Sequence, residues 1–390
     1  MLNLTNKKYD LSCSETDNSV LKFSDIEKFY KKTDAFQMRI GLEYERLSLD
    51  KKTLKNASYE KMEKIITQFA QKLNWEIIYD DGVIIGAKNN EGTSISLEPG
   101  CQLELSLSPQ REILLIELES AKLIKLLDEI ADSNGIFFLG YGISPVSFAD
   151  EIKLLDKRRY KVMNSYLPNC PYGELIPKMM RQTAGIQVNI DYTDSKDAYL
   201  KMKFFNLIMP FMSALFANSP FENGIMTNKK SSRAHVWRYC GKNRCNIFYK
   251  KIFSNLFPIK NFFKNYINEI LNVPMIFIER ENQIIEIQGK LTFREFMKKG
   301  YLGHFAKLDD YILHQSLCFP DVRLKQYIEI RNHDSSDIKM ALSLCAFYKG
   351  LSLCNLKELL SILNFLKISD IDYYNEKVKL LRELFKSRKA

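Results

Sequence analysis

Four short runs of this chain alternate a polar or ionic residue with an apolar one. They are Arg39-Ile-Gly-Leu-Glu43-Tyr-Glu45, Gln102-Leu-Glu104-Leu-Ser106, Gly185-Ile-Gln187-Val-Asn189-Ile-Asp191 and Tyr327-Ile-Glu329-Ile-Arg331. In a strand, residues two apart share a face, so each run puts its aliphatic side chains on one side and its carboxylates, carboxamides and arginines on the other. One polar face on an antiparallel sheet is ordinary where that face meets water. A solvated face would sample Lys and Thr in a chain with 57 Lys and Arg against 47 Asp and Glu, and these runs contain neither. They hold hard oxygen donors and a few guanidiniums. Carboxylates gathered on one face repel one another unless a cation lies between them, and Mg²⁺ held by carboxylates and nucleotide phosphates suits that set. The runs therefore predict a magnesium-nucleotide site built on a sheet.

The sequence has no Walker-type phosphate loop and no Rossmann glycine fingerprint, so ATP would be held through magnesium and basic side chains. Arg233, Arg244 and Arg331 can offer forked donors to phosphate or carboxylate. The four histidines form no set with a nucleophile; His235 lies in a strand-like Arg-Ala-His-Val-Trp run and His333 just after the last polar-faced run. The eight cysteines (13, 101, 170, 240, 245, 318, 345 and 354) show no C-x-x-C and no histidine at zinc spacing, which reads as reduced thiols.

These residues need elements to position them. Ser24-Asp-Ile-Glu27 reads as a capping box opening a short helix before the first polar-faced strand. Met62, Ile65, Ile66, Phe69 and Leu73 recur at helical spacing. Trp75–Tyr79 and Val83–Ala87, joined by Asp80-Asp81-Gly82, read as a hairpin, and Thr93–Leu97 as a further strand. Glu98-Pro99-Gly100 breaks that strand, and Pro109 starts a long amphipathic helix reaching about Asp132. A strand at about 136–142, the third polar-faced strand at 185–192 and a helix at about 195–217 follow, before the least structured part, Asn218 to Ser232. Strands near 275–288 lead to the fourth polar-faced strand, and the chain from about 337 reads as helical with a basic amphipathic tail. Strands interleaved with helices around a sheet with one polar face predict an α+β fold. Residues 1–22 read as a loose arm and 23–390 as one domain, with no linker that cuts it.

A hydrophobic content of 46% with 27% charged residues is that of a folded protein, and the charge of +10 is spread along the chain without a nucleic-acid-binding signature. Neither nucleic acid nor membrane is expected as a partner: the most apolar segment, Leu207 to Ala217, is too short to span a bilayer. No apolar secretory run opens the sequence, which predicts a cytoplasmic location.

Together the motifs resemble the plant-type glutamate-cysteine ligase family over about residues 37–335. The matching runs are Gly-Leu-Glu43-Tyr-Glu45; Ile-Ser-Leu-Glu98-Pro-Gly-Cys-Gln102-Leu-Glu104-Leu-Ser; Arg159-Tyr-Lys-Val-Met; Met179-Met-Arg-Gln-Thr-Ala-Gly-Ile-Gln187-Val-Asn189-Ile-Asp; Ala-Leu-Phe-Ala-Asn218-Ser-Pro-Phe; Arg233-Ala-His-Val-Trp237; Leu-Thr-Phe-Arg-Glu-Phe; and Phe319-Pro-Asp-Val-Arg323-Leu-Lys-Gln-Tyr-Ile-Glu329-Ile-Arg331. The resemblance implies a glutamine-synthetase-like catalytic fold, a curved, mostly antiparallel sheet forming a funnel with helices outside. It implies ATP- and Mg²⁺-dependent ligation of glutamate to cysteine through γ-glutamyl phosphate, the first step towards glutathione. By the motif match, Glu43, Glu98, Glu104 and Glu329 are the metal candidates, with Glu45, Gln187 and Asn189 beside the nucleotide or metal. Arg233 and Trp237 fall in the glutamate-binding segment, and Arg159 and Tyr160 on the acceptor side. Arg233, Arg244 and Arg331 are the catalytic candidates.

The chain departs from the family pattern in three places. After Trp237 the run Arg238-Tyr-Cys240-Gly-Lys-Asn-Arg244-Cys245-Asn246 keeps an arginine and loses the usual acids; Gln182 stands where an arginine is usual; and Cys101 replaces the second glycine of Glu-Pro-Gly-Gly. The chain is short for the family and shows no transit peptide, which suggests a bacterial-style cytoplasmic enzyme, a monomer or homodimer. The competing readings are a ligase for a different amine, motivated by residues 238–246, and an inactive regulatory homologue, against which the retained carboxylates argue.

Overall fold

The computed structural model describes residues 21–31, 38–245, 261–354, 358–359 and 361–362. Residues 1–20 of the proposed arm and most of the basic tail therefore lie outside the described residues, while Leu21 is buried in the core and Lys22 leads into the first helix. Thirteen strands are described: β1 Ile40–Asp50, β2 Glu76–Asp80, β3 Val83–Lys88, β4 Ser94–Leu97, β5 Leu103–Ser106, β6 Ile136–Leu139, β7 Gly185–Ile190, β8 Phe221–Glu222, β9 Ile225–Met226, β10 Phe277–Arg280, β11 Gln283–Glu286, β12 Val322–Leu324 and β13 Ile328–Asp334. Nine of them form one sheet in the order β12-β13-β7-β1-β5-β4-β3-β2, with β6 joined to the second half of β1. Every pairing in this sheet is antiparallel. The fold is α+β, as the interleaving of strands and helices predicts.

All four alternating runs form strands of this one sheet, and their register brings the polar positions into rows. Glu329 stands opposite Asn189, and Asn189 opposite Gly41; Gln187 stands opposite Glu43, and Glu43 opposite Ser106; Glu45 faces Glu104, and Glu104 faces Ser96. The reverse face carries Leu42, Val188, Ile190, Ile328, Ile330, Ile95 and Leu105, all buried in one core with helices Tyr59–Leu73, Ile113–Ser133, Ser195–Leu215 and Ile338–Leu353. Of the predicted stripe on the first of these helices Met62, Ile65, Ile66 and Phe69 are buried, and Leu73, at the helix end, is half-buried against the core.

A bulge in β13 sets which residues reach the polar face. Ile330 pairs with Val188 but His333 pairs with Ile186, so β13 carries one extra residue there. Strict alternation would place His333 beside Glu329 and Arg331. The extra residue instead sends it to the apolar side, where Nε2 lies 2.9 Å from the Tyr348 hydroxyl and burial pushes its pKa down to about 3. It also returns Asp334 to the polar side, opposite Gly185.

Several boundaries differ from expectation for local reasons. The first helix is Phe23–Tyr30, and Asp25, not Glu27, accepts the capping bond, from the Lys22 N–H at 3.1 Å. The long helix begins at Ile113 rather than Pro109, because Leu107 and Gln110 still donate to the β1 carbonyls of Leu42 and Ile40. The Arg-Ala-His-Val-Trp run is not strand-like: Ser231 caps helix Ser232–Tyr239, its Oγ accepting the Ala234 N–H at 2.9 Å. Asn218 to Ser232 is not the least structured part. It carries the β8–β9 ribbon and closes on Asp334, whose carboxylate accepts from Asn218 N–H, Ser219 Oγ and Ser231 Oγ at 2.7–2.8 Å.

Candidate active site

The polar face is not a solvated one. Glu45, Glu104, Gln187, Arg331 and Glu329 are buried, Glu329 completely. Burying a charge is tolerated only where it is paired or can bind something of opposite sign.

At one end of the face Glu329 is fully paired. Its Oε2 accepts from Arg323 Nε at 2.6 Å and Arg331 Nη1 at 3.1 Å; its Oε1 accepts from Arg323 Nη2 at 3.0 Å and Lys325 Nζ at 2.7 Å. Burial opposes the charge, yet Arg323, Lys325 and Arg331 outweigh it and hold the carboxyl well below the usual carboxylate range. Arg331 also donates to Gln187 Oε1 at 2.6 Å, and Gln187 Nε2 donates to Glu45 at 2.9 Å. The second Glu45 oxygen takes the Gly185 N–H at 2.6 Å. Glu45, Gln187 and Arg331 thus form a chain of filled hydrogen bonds that fixes the middle of the face.

The other carboxylates are only half satisfied. Glu43 Oε1 accepts from Asn189 Nδ2 at 2.9 Å, and Glu104 Oε1 from Ser106 Oγ at 3.0 Å. Among the described residues no donor reaches Glu43 Oε2, Glu104 Oε2, Glu98 Oε1 or Asn189 Oδ1, all four buried. An orphaned buried acceptor costs about 1–3 kcal/mol, more when charged, so four of them on one face want a cation. No three His, Cys, Asp or Glu side chains converge as a metal centre among the described residues. Mg²⁺ that arrives with phosphates is met through one or two protein carboxylates, a demand that such unsatisfied oxygens could fill. Glu98 owes its place to the turn Glu98-Pro99-Gly100-Cys101, closed by Cys101 N–H on Glu98 O at 2.8 Å. Gly100 is required there, since a Cβ would sit 2.2 Å from the Arg181 carbonyl oxygen. Cys101, at the departure from the family pattern, takes φ 61°, a left-handed conformation that favours glycine.

Orphaned donors lie on the helix packed against β13. In helix Ser232–Tyr239 the four-residue spacing puts Arg233 against Trp237, with the guanidinium carbon 5.5 Å from the ring centroid; Arg331 approaches the same ring at 5.9 Å. Arg233 Nη2 donates to the Arg331 carbonyl at 3.0 Å, while Nε and Nη1, and Trp237 Nε1, are buried without an acceptor among the described residues. Unsatisfied donors on two side chains in contact suit an anion. Arg159 and Tyr160 are buried on helix Arg158–Tyr166. Burial, then the charge of Glu98, pushes the Tyr160 hydroxyl well up, which places it at the Glu98–Glu104 end. Arg244 goes elsewhere: its guanidinium caps the Leu317 and Pro274 carbonyls.

The face has a pH signature. Burial, then repulsion from Glu98, raises the carboxyls of Glu45, to about 8, and Glu104; burial and Glu329 raise Glu43. Stability from groups shifted this way is complete below the unfolded carboxylate range and is lost as pH rises through the folded values. The thermal midpoint of metal-free protein is therefore expected to fall between about pH 5 and pH 8, and Mg²⁺ to raise it more at the upper end. Unfolding scans in chelator and in Mg²⁺ check this; a profile that rises over that range contradicts it.

Arg323, Lys325 and Asp334 also shape the site. The signal was present for the first two, since Val322-Arg323-Leu324-Lys325 continues the polar–apolar alternation into the turn before β13. Nothing local marks Asp334, whose face depends on the bulge.

A model of the glutamate-cysteine ligase family 2 matches residues 39–366. The chain is 33% identical over 348 residues to glutamate–cysteine ligase B, chloroplastic, of Oryza sativa subsp. japonica, covering 88% of this chain and 67% of that protein. It is 34% identical over 317 residues to the chloroplastic glutamate–cysteine ligase of Arabidopsis thaliana, covering 80% and 59%. The chain thus spans about three fifths to two thirds of the length of these relatives. A solved glutamate–cysteine ligase from Francisella tularensis in complex with AMP has a TM-score of 0.46 at 14% identity, covering 92% of this chain and 71% of that one, too distant to bear on the site. That both curated relatives are named chloroplastic overturns the cytoplasmic expectation. Among the described residues no helix is long and apolar enough to cross a membrane. With a family match over most of its length and relatives at one third identity, the chain belongs to glutamate-cysteine ligase family 2.

Proposed function

We propose that this chain uses ATP and Mg²⁺ to join the γ-carboxylate of glutamate to the amine of cysteine, within a single catalytic domain and, following the names of its relatives, in the plastid. The observation that carries the reading is that orphaned acceptors on Glu43, Glu104 and Asn189, and on Glu98 in the turn after β4, belong to a sheet whose β13 strand packs against the helix carrying orphaned donors on Arg233 and Trp237. The acceptors suit a cation and the donors a carboxylate, and the reaction brings both. Bound Mg²⁺ would neutralise the triphosphate and draw charge from the transferred phosphoryl group. Glu43, Glu98 and Glu104 would hold it through their unsatisfied oxygens, with Glu329 as the fourth candidate. Glu45, Gln187 and Asn189 would border the nucleotide.

In the first step a γ-carboxylate oxygen of glutamate attacks the terminal phosphorus, the bond to the bridging oxygen breaks, and ADP leaves. The amine of cysteine then attacks the acyl carbon, phosphate departs with the C–O electron pair, and the amine proton passes to water. Such transfers need positioning and charge neutralisation more than covalent help. Arg233 would fork onto the α-carboxylate of glutamate while Trp237 walls the site, and Arg331 would steady Gln187 and face the developing charge. Arg159 and Tyr160 would border the acceptor.

Lysine at position 233 keeps the charge but loses the planar fork. The Michaelis constant for glutamate is expected to rise on the order of 10- to 100-fold in Arg233→Lys, with that for ATP little changed. Steady-state kinetics in each substrate measure this, and equal effects on both would move Arg233 out of the glutamate site.

A second reading, a ligase for a different amine, is favoured by one feature of residues 238–246. Arg238, which alone would attract an acceptor carboxylate, has Asp321 as a neighbouring counter-charge. A panel of acceptors separates the two readings.

A further inference from the structure

The four bonds to Glu329 occupy both lone-pair positions of each oxygen, so no cation can bind this carboxylate without displacing a donor. The donors are not equally displaceable. Arg323 is fully buried, grips both oxygens, and its Nη1 also holds the Ser316 and Cys318 carbonyls at 2.8 and 2.9 Å. Arg331 is nearly as buried and is tied to Gln187. Lys325 makes a single bond to Glu329, sits in the turn between β12 and β13, and keeps its side chain 22% exposed. It is already anchored on its other side: Nζ donates to the Tyr327 hydroxyl at 3.1 Å and lies 5.2 Å from that ring's centroid, so losing the Glu329 bond leaves it held.

The oxygen that Lys325 covers belongs to the residue paired with Asn189, whose Oδ1 is an orphan and whose Nδ2 holds Glu43, itself an orphan at Oε2. We propose that the Lys325 ammonium is the resident counter-ion of Glu329, covering an oxygen that a divalent cation would need, and that metal binding breaks this bond and leaves Lys325 held by Tyr327 on the solvent side. Lys325 is on this account a positioning residue: it holds Glu329 aimed before metal arrives, and it weakens metal binding in the absence of nucleotide. The inference rests on the magnesium reading above.

Titration of the nucleotide-free full chain with Mn²⁺, following the free ion by electron paramagnetic resonance, tests it. Removing a competing charge-assisted hydrogen bond should tighten Mn²⁺ binding about 10- to 100-fold in Lys325→Met and Lys325→Gln. Lys325→Arg should stay near wild type, and Glu43→Gln should bind more weakly. If the Met and Gln variants bind no more tightly than wild type while Glu43→Gln weakens binding, displacement is wrong and the metal site stands. If wild type and every variant fail to bind Mn²⁺ at millimolar concentration, the metal reading falls and this proposal with it. Wild-type protein gives a check that needs no variant to fold: Mn²⁺ should speed acylation of Lys325, read by mass spectrometry relative to the other lysines. Slower or unchanged labelling overturns the proposal.

Discussion

Glutamine in place of Glu43 or Glu104 is expected to lower turnover on the order of 100-fold at limiting Mg²⁺, the effect of losing ~3 kcal/mol of transition-state stabilisation. The substitution keeps the shape of each side chain and removes one negative ligand. It leaves Asn189 Nδ2 and Ser106 Oγ an amide oxygen to donate to, so the observed bonds can re-form. The fold should survive, because each carboxylate is raised by burial and by its acidic neighbours, and neutralising one relieves repulsion when no metal is bound. Initial rates across a Mg²⁺ series, alongside thermal unfolding, separate the two effects. Near-normal rates in both variants at limiting Mg²⁺ would remove these residues from the metal site.

Arg323→Met is expected to be the most destabilising single change on this face, by about 3–5 kcal/mol, because it leaves a fully buried carboxylate with its bidentate partner gone. It also strands the Ser316 and Cys318 carbonyls that Arg323 caps. Replacing both members, Arg323→Met with Glu329→Met, should recover much of that loss, since the uncompensated charge goes with it. Equilibrium denaturation of the single and double variants measures the difference. A loss below about 1 kcal/mol in the single variant would show that Lys325 and Arg331 suffice to hold Glu329.

The strands that carry the site were legible because their period is two and their polar residues are of unusual kind; Glu43, Glu45, Glu104, Gln187, Asn189 and Glu329 do share one face. The lack of Lys and Thr spoke against an ordinary solvated face, but what covers it was not legible. The cover includes helix Ser232–Tyr239, which reads as strand-like from its residues and is helical because Ser231 caps it. The phase of β13 beyond Ile330 was equally hidden. One extra residue sends His333 to the core and Asp334 to the site, and a bulge is a property of the pairing rather than of either strand. Arg323 and Lys325 belong to the same alternation as Glu329, but their role appears only when the hairpin folds them back onto it. Arg244 shows the converse: an arginine in a motif-rich segment that the fold uses to cap two carbonyls.

The central claim is tested most directly by supplying ATP, Mg²⁺ and glutamate with a panel of amines and identifying each product by mass. The account predicts γ-glutamylcysteine with matched phosphate release, a weaker reaction with 2-aminobutyrate, since a pocket separates such isosteres by only ~1–3 kcal/mol, and little with amines that lack a carboxylate. Faster product formation with a carboxylate-free amine than with cysteine would contradict the assignment of cysteine as acceptor, and no Mg²⁺-dependent phosphate release with any amine would contradict the ligase chemistry itself.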